Sequence, residues 1–209
     1  MFTSRIPLIL ASSSPRRREF LDQLGLKFSV EPAHIDETPL NAESPEDFAR
    51  RMALDKARTL AGHHPESCII AADTVVALGG TIFGKPADAA EALLYLQQLQ
   101  GKTHRVITGI AVLLNENNIE ESRIETTSVT FDFFDAAILQ AYVNSGDPLD
   151  KAGAYGIQGQ GTFLVRSITG SYSNVVGLPV NQLLSVLLNH QIIQPECPIT
   201  QPARNSRRP

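Results

Sequence analysis

Asp73 stands inside the apolar run CIIAADTVVAL, residues 68–78. A carboxylate buried in such a run costs several kcal/mol unless it is paired, hydrogen-bonded or bound to a metal. It is either a strand-end cap on a turn, or a base or metal ligand. Lys56 falls among Met52, Ala53 and Leu60 at helical intervals, where an ammonium either finds an anionic partner or snorkels to solvent. Arg16, Arg17 and Arg18 crowd the first turn of a helix opening at Ser14-Pro15, although the macrodipole already places about half a positive charge there. An anion is therefore expected close by. Lys85, in FGKP just after a strand, either is a solvated loop lysine or reaches a phosphate from its tight turn. Phosphate groups suit arginine forks and helix N-terminal amides, while a divalent cation suits carboxylate oxygens such as those of Asp73 and Glu37. A polyphosphate is the candidate ligand that would join these residues.

The elements that must position them read as an α/β order. A strand over 6–11 leads into a helix over 14–24, with the Ser14 hydroxyl as its cap and Gly25 as its stop, then a short strand near 28–30. Ser44-Pro45-Glu46-Asp47 has the spacing of a capping box and starts a second helix. The run 68–78 is a central strand that turns at Gly79-Gly80 into a short partner ending near Phe83, and Asp88 caps a third helix. Two longer strands, 104–114 and 125–134, flank the turn NENN, and a helix follows over 135–144. The Gly-rich segment GDPLDKAGAYGIQGQG precedes a strand over 162–168 and a last helix over 179–189. One domain over residues 1–190 is expected, with two lobes as the alternative, and residues 191–209 are read as a disordered tail on their proline-rich, polar composition.

Composition removes several function classes. A net charge of −4 and a pI near 5.7 lack the basic footprint of a nucleic-acid binder. Two cysteines, Cys68 and Cys197, form no C-x-x-C pair and point to a reducing compartment without a disulfide framework. No apolar run approaches the ~18 residues of a membrane span, and the N-terminal apolar run lacks a signal-peptide layout, so a cytoplasmic location is expected. There is no P-loop, and GIQGQG has the wrong spacing and context for a dinucleotide fingerprint. The five histidines form no metal-ligand spacing.

ASSSPRR (11–17), AADTVV (71–76), GKP (84–86) and DKAGAYGIQG (150–159), in that order, resemble the Maf family of nucleotide pyrophosphatases, and the resemblance runs to about residue 190. It implies an elongated mixed β-sheet flanked by helices, similar to the inosine triphosphatase group, a homodimer, and metal-dependent hydrolysis of nucleoside triphosphates to the monophosphate and pyrophosphate. Carried onto this sequence, the catalytic base corresponds to Asp73. Phosphate binding is expected from Ser14, Arg16, Arg17, Lys56 and Lys85, and binding of a divalent cation, Mg or Mn, from Glu37 and Asp73. Asp150 and Lys151 match as well, either touching substrate or ordering their loop. Arg16, Thr74 and Gln158 occupy the positions at which branches of the family differ. Direct SPRR, Asp-Thr and Ile-Gln-Gly look like the branch acting on dTTP and UTP, with modified pyrimidine nucleotides as a further substrate class. A Gln amide offers an acceptor to the N3-H of uracil or thymine and a donor to a neighbouring carbonyl, and flipped it also suits cytosine. Two other readings stay open: a nucleotide-sensing regulator of cell division that binds without turnover, and a phosphatase releasing orthophosphate.

Overall fold

The computed structural model describes residues 1–196, and in it the apolar runs become the strands of one mixed sheet. A short strand β1 (Phe2–Ser4) precedes β2 (Leu8–Leu10), whose three side chains are all buried. Helix α1 (Pro15–Gln23) opens on a proline whose fixed φ suits a first helical position, and β3 (Ser29–Val30) follows. Helix α2 (Pro45–Ala61) starts as its sequence dictates: Ser44 Oγ accepts from the Asp47 amide, and Glu46 and Asp47 occupy the turn that favours acids. Next come β4 (Cys68–Leu78), β5 (Thr81–Phe83), α3 (Ala89–Leu99) with Asp88 capping it, β6 (Thr103–Leu114) and β7 (Ile119–Phe131). The chain finishes with α4 (Ala136–Asn144), β8 (Val165–Thr169), α5 (Tyr172–Val176), α6 (Val180–Asn189) and β9 (Ile193–Pro195).

The sheet runs β3-β2-β4-β6-β7-β8, with β2 parallel to both its neighbours and the remaining pairs antiparallel. One edge of β4 is paired with β6 from Ile69 to Ala77. The other edge is shared: β2 pairs with Cys68–Ile70 and β5 with Val76–Leu78. Between them the edge is left open over residues 71–75, and Asp73 and Thr74 lie in that notch.

Period-2 alternation sends the two faces of β4 to different cores. Ile69, Ala71, Val75 and Ala77 join clusters built with Ala49, Met52, Ala53, Ala57 and Leu60 of α2. Cys68, Ile70 and Ala72 meet α1 and α6, whereas Val76 on the same face meets α3 and α4. On this second face two apolar clusters thus lie side by side on one sheet. Helix α2 can lie this close because the residue opposite Asp73 in β6 is Gly109. A Cβ there would stand 2.3 Å from the Ala49 carbonyl oxygen. Lys56 is two helical turns beyond Ala49, so this contact sets how near its ammonium comes to the sheet.

Several expectations change. The strand expected over 6–11 is β2, Leu8–Leu10, preceded by the unanticipated β1; the long hairpin strand is Ile119–Phe131 rather than 125–134, and Ser14 makes no side-chain cap. A 3-10 helix over Gly159–Leu164 takes in the start of the strand expected over 162–168, so β8 begins at Val165. Helix α5 was not anticipated. The expected tail is also corrected over 191–196: Ile192 and Ile193 are 2% exposed in the cluster beneath α6, and β9 pairs antiparallel with β1. Proline-rich composition hid two well-buried isoleucines. Residues 197–209, including Cys197 and the rest of the expected tail, lie outside the described residues. Cys68 is fully buried, and burial pushes its thiol up to about 12. Among the described residues no helix is long and apolar enough to cross a membrane.

A chain ending at His190 loses both isoleucines and the partner of β1. Burial of two such side chains is worth roughly 3 to 6 kcal/mol, so the free energy of urea unfolding should drop by an amount of that order. An unchanged unfolding midpoint would show that β9 contributes nothing to the fold.

Candidate functional site

The open edge of β4 forms the floor of a cavity of about 920 Å³, within the size range of small-molecule sites. Ser14, Arg16, Arg17, Glu37, Lys56, Asp73, Thr74, Lys85 and Gln158 all line it. Every residue expected in the site therefore reaches one space from six separate segments, and Asp150 and Lys151 join them. Arg18 does not; it is exposed and pairs with Asp22 one turn on, at 3.6 Å.

Asp73 and Thr74 are adjacent and point to opposite faces of the sheet. On the α2 face, Lys56 Nζ lies 2.7 Å from Asp73 Oδ1 and 2.6 Å from Glu37 Oε1. The Lys56 and Asp73 side chains are only 11% and 13% exposed, so this is an interior ion pair rather than a surface one. Burial pushes the Asp73 carboxyl above the ordinary carboxylate value, against the opposing pull of Lys56 and Arg17. For Glu37, partial burial is outweighed by its hydrogen bond to Lys56 and the charges of Lys56, Lys85 and Arg17, which hold it below the ordinary value. Its loop is not free: Arg51 of α2 donates to Thr38 O at 3.1 Å and to Glu43 Oε1 at 2.7 Å.

On the other face Arg17 is a structural tie. Its Nε donates to Gly177 O at 2.8 Å and its two terminal nitrogens donate to Ser12 Oγ at 3.0 Å and Thr74 Oγ1 at 3.1 Å. Three of five N-H groups are thereby committed to neutral oxygens. Burial lowers the pKa of this guanidinium, with the neighbouring Asp73 charge opposing. Gly177, at φ +119, turns the chain so that its carbonyl faces Arg17. The Thr74 hydroxyl is within 2.9 Å of Thr108 Oγ1, which also donates to Asn174 O at 3.2 Å. Thr74 thus holds strand, helix and α5 together, and its hydroxyl is engaged by protein.

The Gly-rich segment closes the remaining side. Lys151 donates to Asp150 Oδ1 at 2.8 Å and Asp147 Oδ1 at 3.2 Å, and also to the Asp147 carbonyl, so its three protons are used internally. Tyr142 donates to the second Asp147 oxygen at 2.8 Å. Of the two roles open to Lys151, ordering the loop is the one its contacts support. Asp150 Oδ2 lies 4.0 Å from Arg16, linking this loop to the start of α1. Gln158 is half-buried in the wall, and its side chain does not cap the 3-10 turn that follows.

Ser12, Asp147, Tyr155 and Gly177 also line the cavity and were not singled out from sequence. Only Ser12 and Asp147 left a signal, as polar neighbours of motifs already noted. Tyr155 OH sits 2.8 Å from His104 Nε2, a pair visible only in three dimensions. Five cations and four carboxylates line the space, so it carries little net charge of its own. No group of three or more His, Cys, Asp or Glu side chains forms among the described residues, which leaves no all-protein metal cage. Glu37 and Asp73 suit a magnesium-type ion, which takes one or two carboxylates and completes its shell with phosphate oxygens and water.

Residues 7–190 match the family model described as Maf-like protein. The chain is 50% identical over 193 residues to a dTTP/UTP pyrophosphatase of Desulfotalea psychrophila, covering 92% of this chain and 99% of that protein. It is 49% identical over 180 residues to one of Myxococcus xanthus, covering 86% and 90%. Among solved structures, the Staphylococcus aureus Ham1 protein superimposes with a TM-score of 0.50 at 16% identity, over 88% of this chain and 99% of that one, a likeness of fold.

The wall residue Tyr155 gives a stability test. His104 is 1% exposed, edge-on to Phe131 and Tyr155, and burial lowers its pKa from 6.5 to about 4. The unfolded chain binds the proton that the folded one refuses, so stability is full above pH 6.5 and is lost as pH falls toward 4. By linkage the loss at pH 5 relative to pH 7 is about 2 kcal/mol from this group alone. Urea unfolding at the two pH values should show that fall in the wild type and a correspondingly smaller one in His104→Leu; equal falls would remove His104 as its source.

Proposed function

The chain belongs to the Maf family, and on that premise we propose that it is a metal-dependent nucleoside triphosphate pyrophosphatase hydrolysing dTTP and UTP to the monophosphate and pyrophosphate. The observation that carries the reading is the Asp73–Lys56–Glu37 group on the floor of a cavity walled by phosphate-seeking side chains. Modified pyrimidine nucleotides are included as further substrates. A homodimer belongs to the proposal through the family resemblance, and a cytoplasmic location through the cysteine usage and the apolar pattern of the sequence.

Arg16, Lys85 and the free amides at the start of α1 receive the phosphate chain. Ser14 leaves those amides uncapped by its side chain, and a helix N-terminus favours anions. Ser14 itself lines the cavity beside them. Arg17 offers its two uncommitted N-H groups while its other three hold the floor in place. Asp73 accepts a hydrogen bond from water, orients it toward the α-phosphorus in line with the departing pyrophosphate, and takes its proton; the upward pull of burial makes this carboxylate a better base. Lys56 and the other cations neutralise charge developing on the leaving group. Glu37 and Asp73 would hold a divalent cation, which when bound would supply Lewis-acid polarisation and further charge neutralisation. A sensor without turnover would gain nothing from a buried carboxylate set against phosphates, so catalysis is the reading favoured here.

Asp73→Asn keeps the shape and deletes the base, and should leave less than about a tenth of wild-type kcat, a loss of at least ~1.4 kcal/mol of transition-state stabilisation. Pyrophosphate release with orthophosphate as control separates this reaction from stripping of a terminal phosphate. A variant with most of its activity intact would sink Asp73 as the base.

Gln158 is proposed to read the pyrimidine edge, accepting from N3-H and donating to a carbonyl. Gln158→Glu keeps the acceptor, loses the donor and sets a carboxylate against that carbonyl, a mismatch of ~1 to 3 kcal/mol. The ratio kcat/KM should fall about tenfold or more for dTTP and UTP and less for GTP, whose edge presents adjacent donors. Equal falls for dTTP, UTP, CTP and GTP would make Gln158 a loop residue without a part in base selection.

A further inference from the structure

Lys56 raises a question that its expected contact with phosphate does not answer. Its Nζ is 2.6 Å from Glu37 Oε1 and 2.7 Å from Asp73 Oδ1, the two carboxylates to which the proposed function gives the metal ion, and the inference rests on that reading. Two carboxylates that face one ammonium repel each other and need a cation between them to stay close. Arg17 cannot serve, since its guanidinium is fastened to Ser12, Thr74 and the Gly177 carbonyl. Lys85 influences Glu37 through its charge and makes no ion pair within 4.0 Å among the described residues. Lys56 alone meets both acids. It is also the one cation here whose rooting is rigid and whose head is mobile: α2 is pressed onto the sheet at Gly109, while a lysine carries its point charge on a flexible stem with three rotatable donors.

We infer that Lys56 is a placeholder cation, which holds Glu37 and Asp73 together in the nucleotide-free protein and leaves them only when a triphosphate offers the ammonium other oxygens. A free divalent ion then has to compete with a charge already attached to the protein, whose effective concentration at the site is high. The nucleotide relieves that competition by drawing Lys56 away, so metal and triphosphate enter together and the metal alone binds poorly. Lys56 on this view serves in two places in turn, between the acids first and on the phosphates afterwards.

The test is Mn²⁺ binding to the nucleotide-free full chain, followed by the paramagnetic resonance signal of free Mn²⁺, in the wild type, Lys56→Met and Lys56→Gln. Removing the placeholder should tighten Mn²⁺ binding at least tenfold, about 1.4 kcal/mol, and weaken metal-free binding of α,β-methylene-UTP by a similar factor. Equal or weaker Mn²⁺ binding in a folded variant overturns the inference. If neither variant folds, wild-type crystals decide. Mn²⁺ found at Glu37 and Asp73 without nucleotide, with Lys56 still paired to both, overturns it. Mn²⁺ seen there only with the analogue, with Lys56 moved off the acids, supports it. If no protein binds Mn²⁺ even with α,β-methylene-UTP present, the metal is removed from the proposed function and the placeholder falls with it, a result distinct from equal affinities.

Discussion

A carboxylate in the middle of a central strand has to find a cation before the sheet can close around it, and much of this architecture follows from that requirement. Asp73 meets it through Lys56, which is possible only because α2 packs directly on β6. That packing needs the missing side chain of Gly109, the residue paired with Asp73 across the strands. Breaking such a pair by removing one partner strands an uncompensated charge, which is far costlier than the net worth of the pair. The ion pair is therefore weak as a source of stability but strict as a constraint: helix, glycine and strand have to be right together.

The second constraint is the divided edge of β4. Had β2 continued past Ile70, or β5 begun earlier, the backbone beside Asp73 would be covered and neither face of the strand would be reachable from one cavity. The gap lets a single ligand space touch an ionic face, with Lys56 and Glu37, and a hydrogen-bonded face, with Arg17 and Thr74. The three successive arginines divide along these lines. Arg16 stands at the mouth near Asp150, Arg17 is consumed mainly in holding the floor, and Arg18 makes an ordinary surface pair with Asp22. A crowded helix start is tolerable because only one of the three charges is buried, and neutral oxygens surround that one.

What the chain disclosed in advance was whatever is local or energetically loud. The run 68–78, the Ser44 cap and the anomalous positions of Asp73 and Lys56 are of this kind, since each is a short-range pattern or a charge in an apolar setting. Contacts decided at long range were not legible. Ser12 instead of Ser14 organises the start of α1, because a guanidinium from the next turn and the Ser14 amide both converge on the Ser12 hydroxyl. The 3-10 turns at 159–164 depend on Gly159 at φ +74 and on Gly161 fitting beneath Tyr142. Helix α5 is a single capped turn of five residues whose Asn174 is wholly buried against Val106 and Thr127, a stabilisation absent from any local window. The branch positions divide likewise: Arg16 and Gln158 line the cavity with side chains left largely uncommitted, whereas the Thr74 hydroxyl is engaged by its neighbours.

The pairing of β1 with β9 ties Phe2 to Pro195 and Ser4 to Ile193, and among the described residues β1 has no other strand partner. Nearly the whole described chain lies between the two, and closing so long a loop carries an entropy that must be spent before the contact returns anything. Of the described elements β1 is made first and its partner last, so on a ribosome β1 waits through the synthesis of all the others. Until then its edge is unsatisfied, and it is only three residues long, too short to offer much of a template to another chain. The order of synthesis and the order of assembly are thus opposed at this one ladder, which makes it a late clasp on a domain whose central sheet can already have formed.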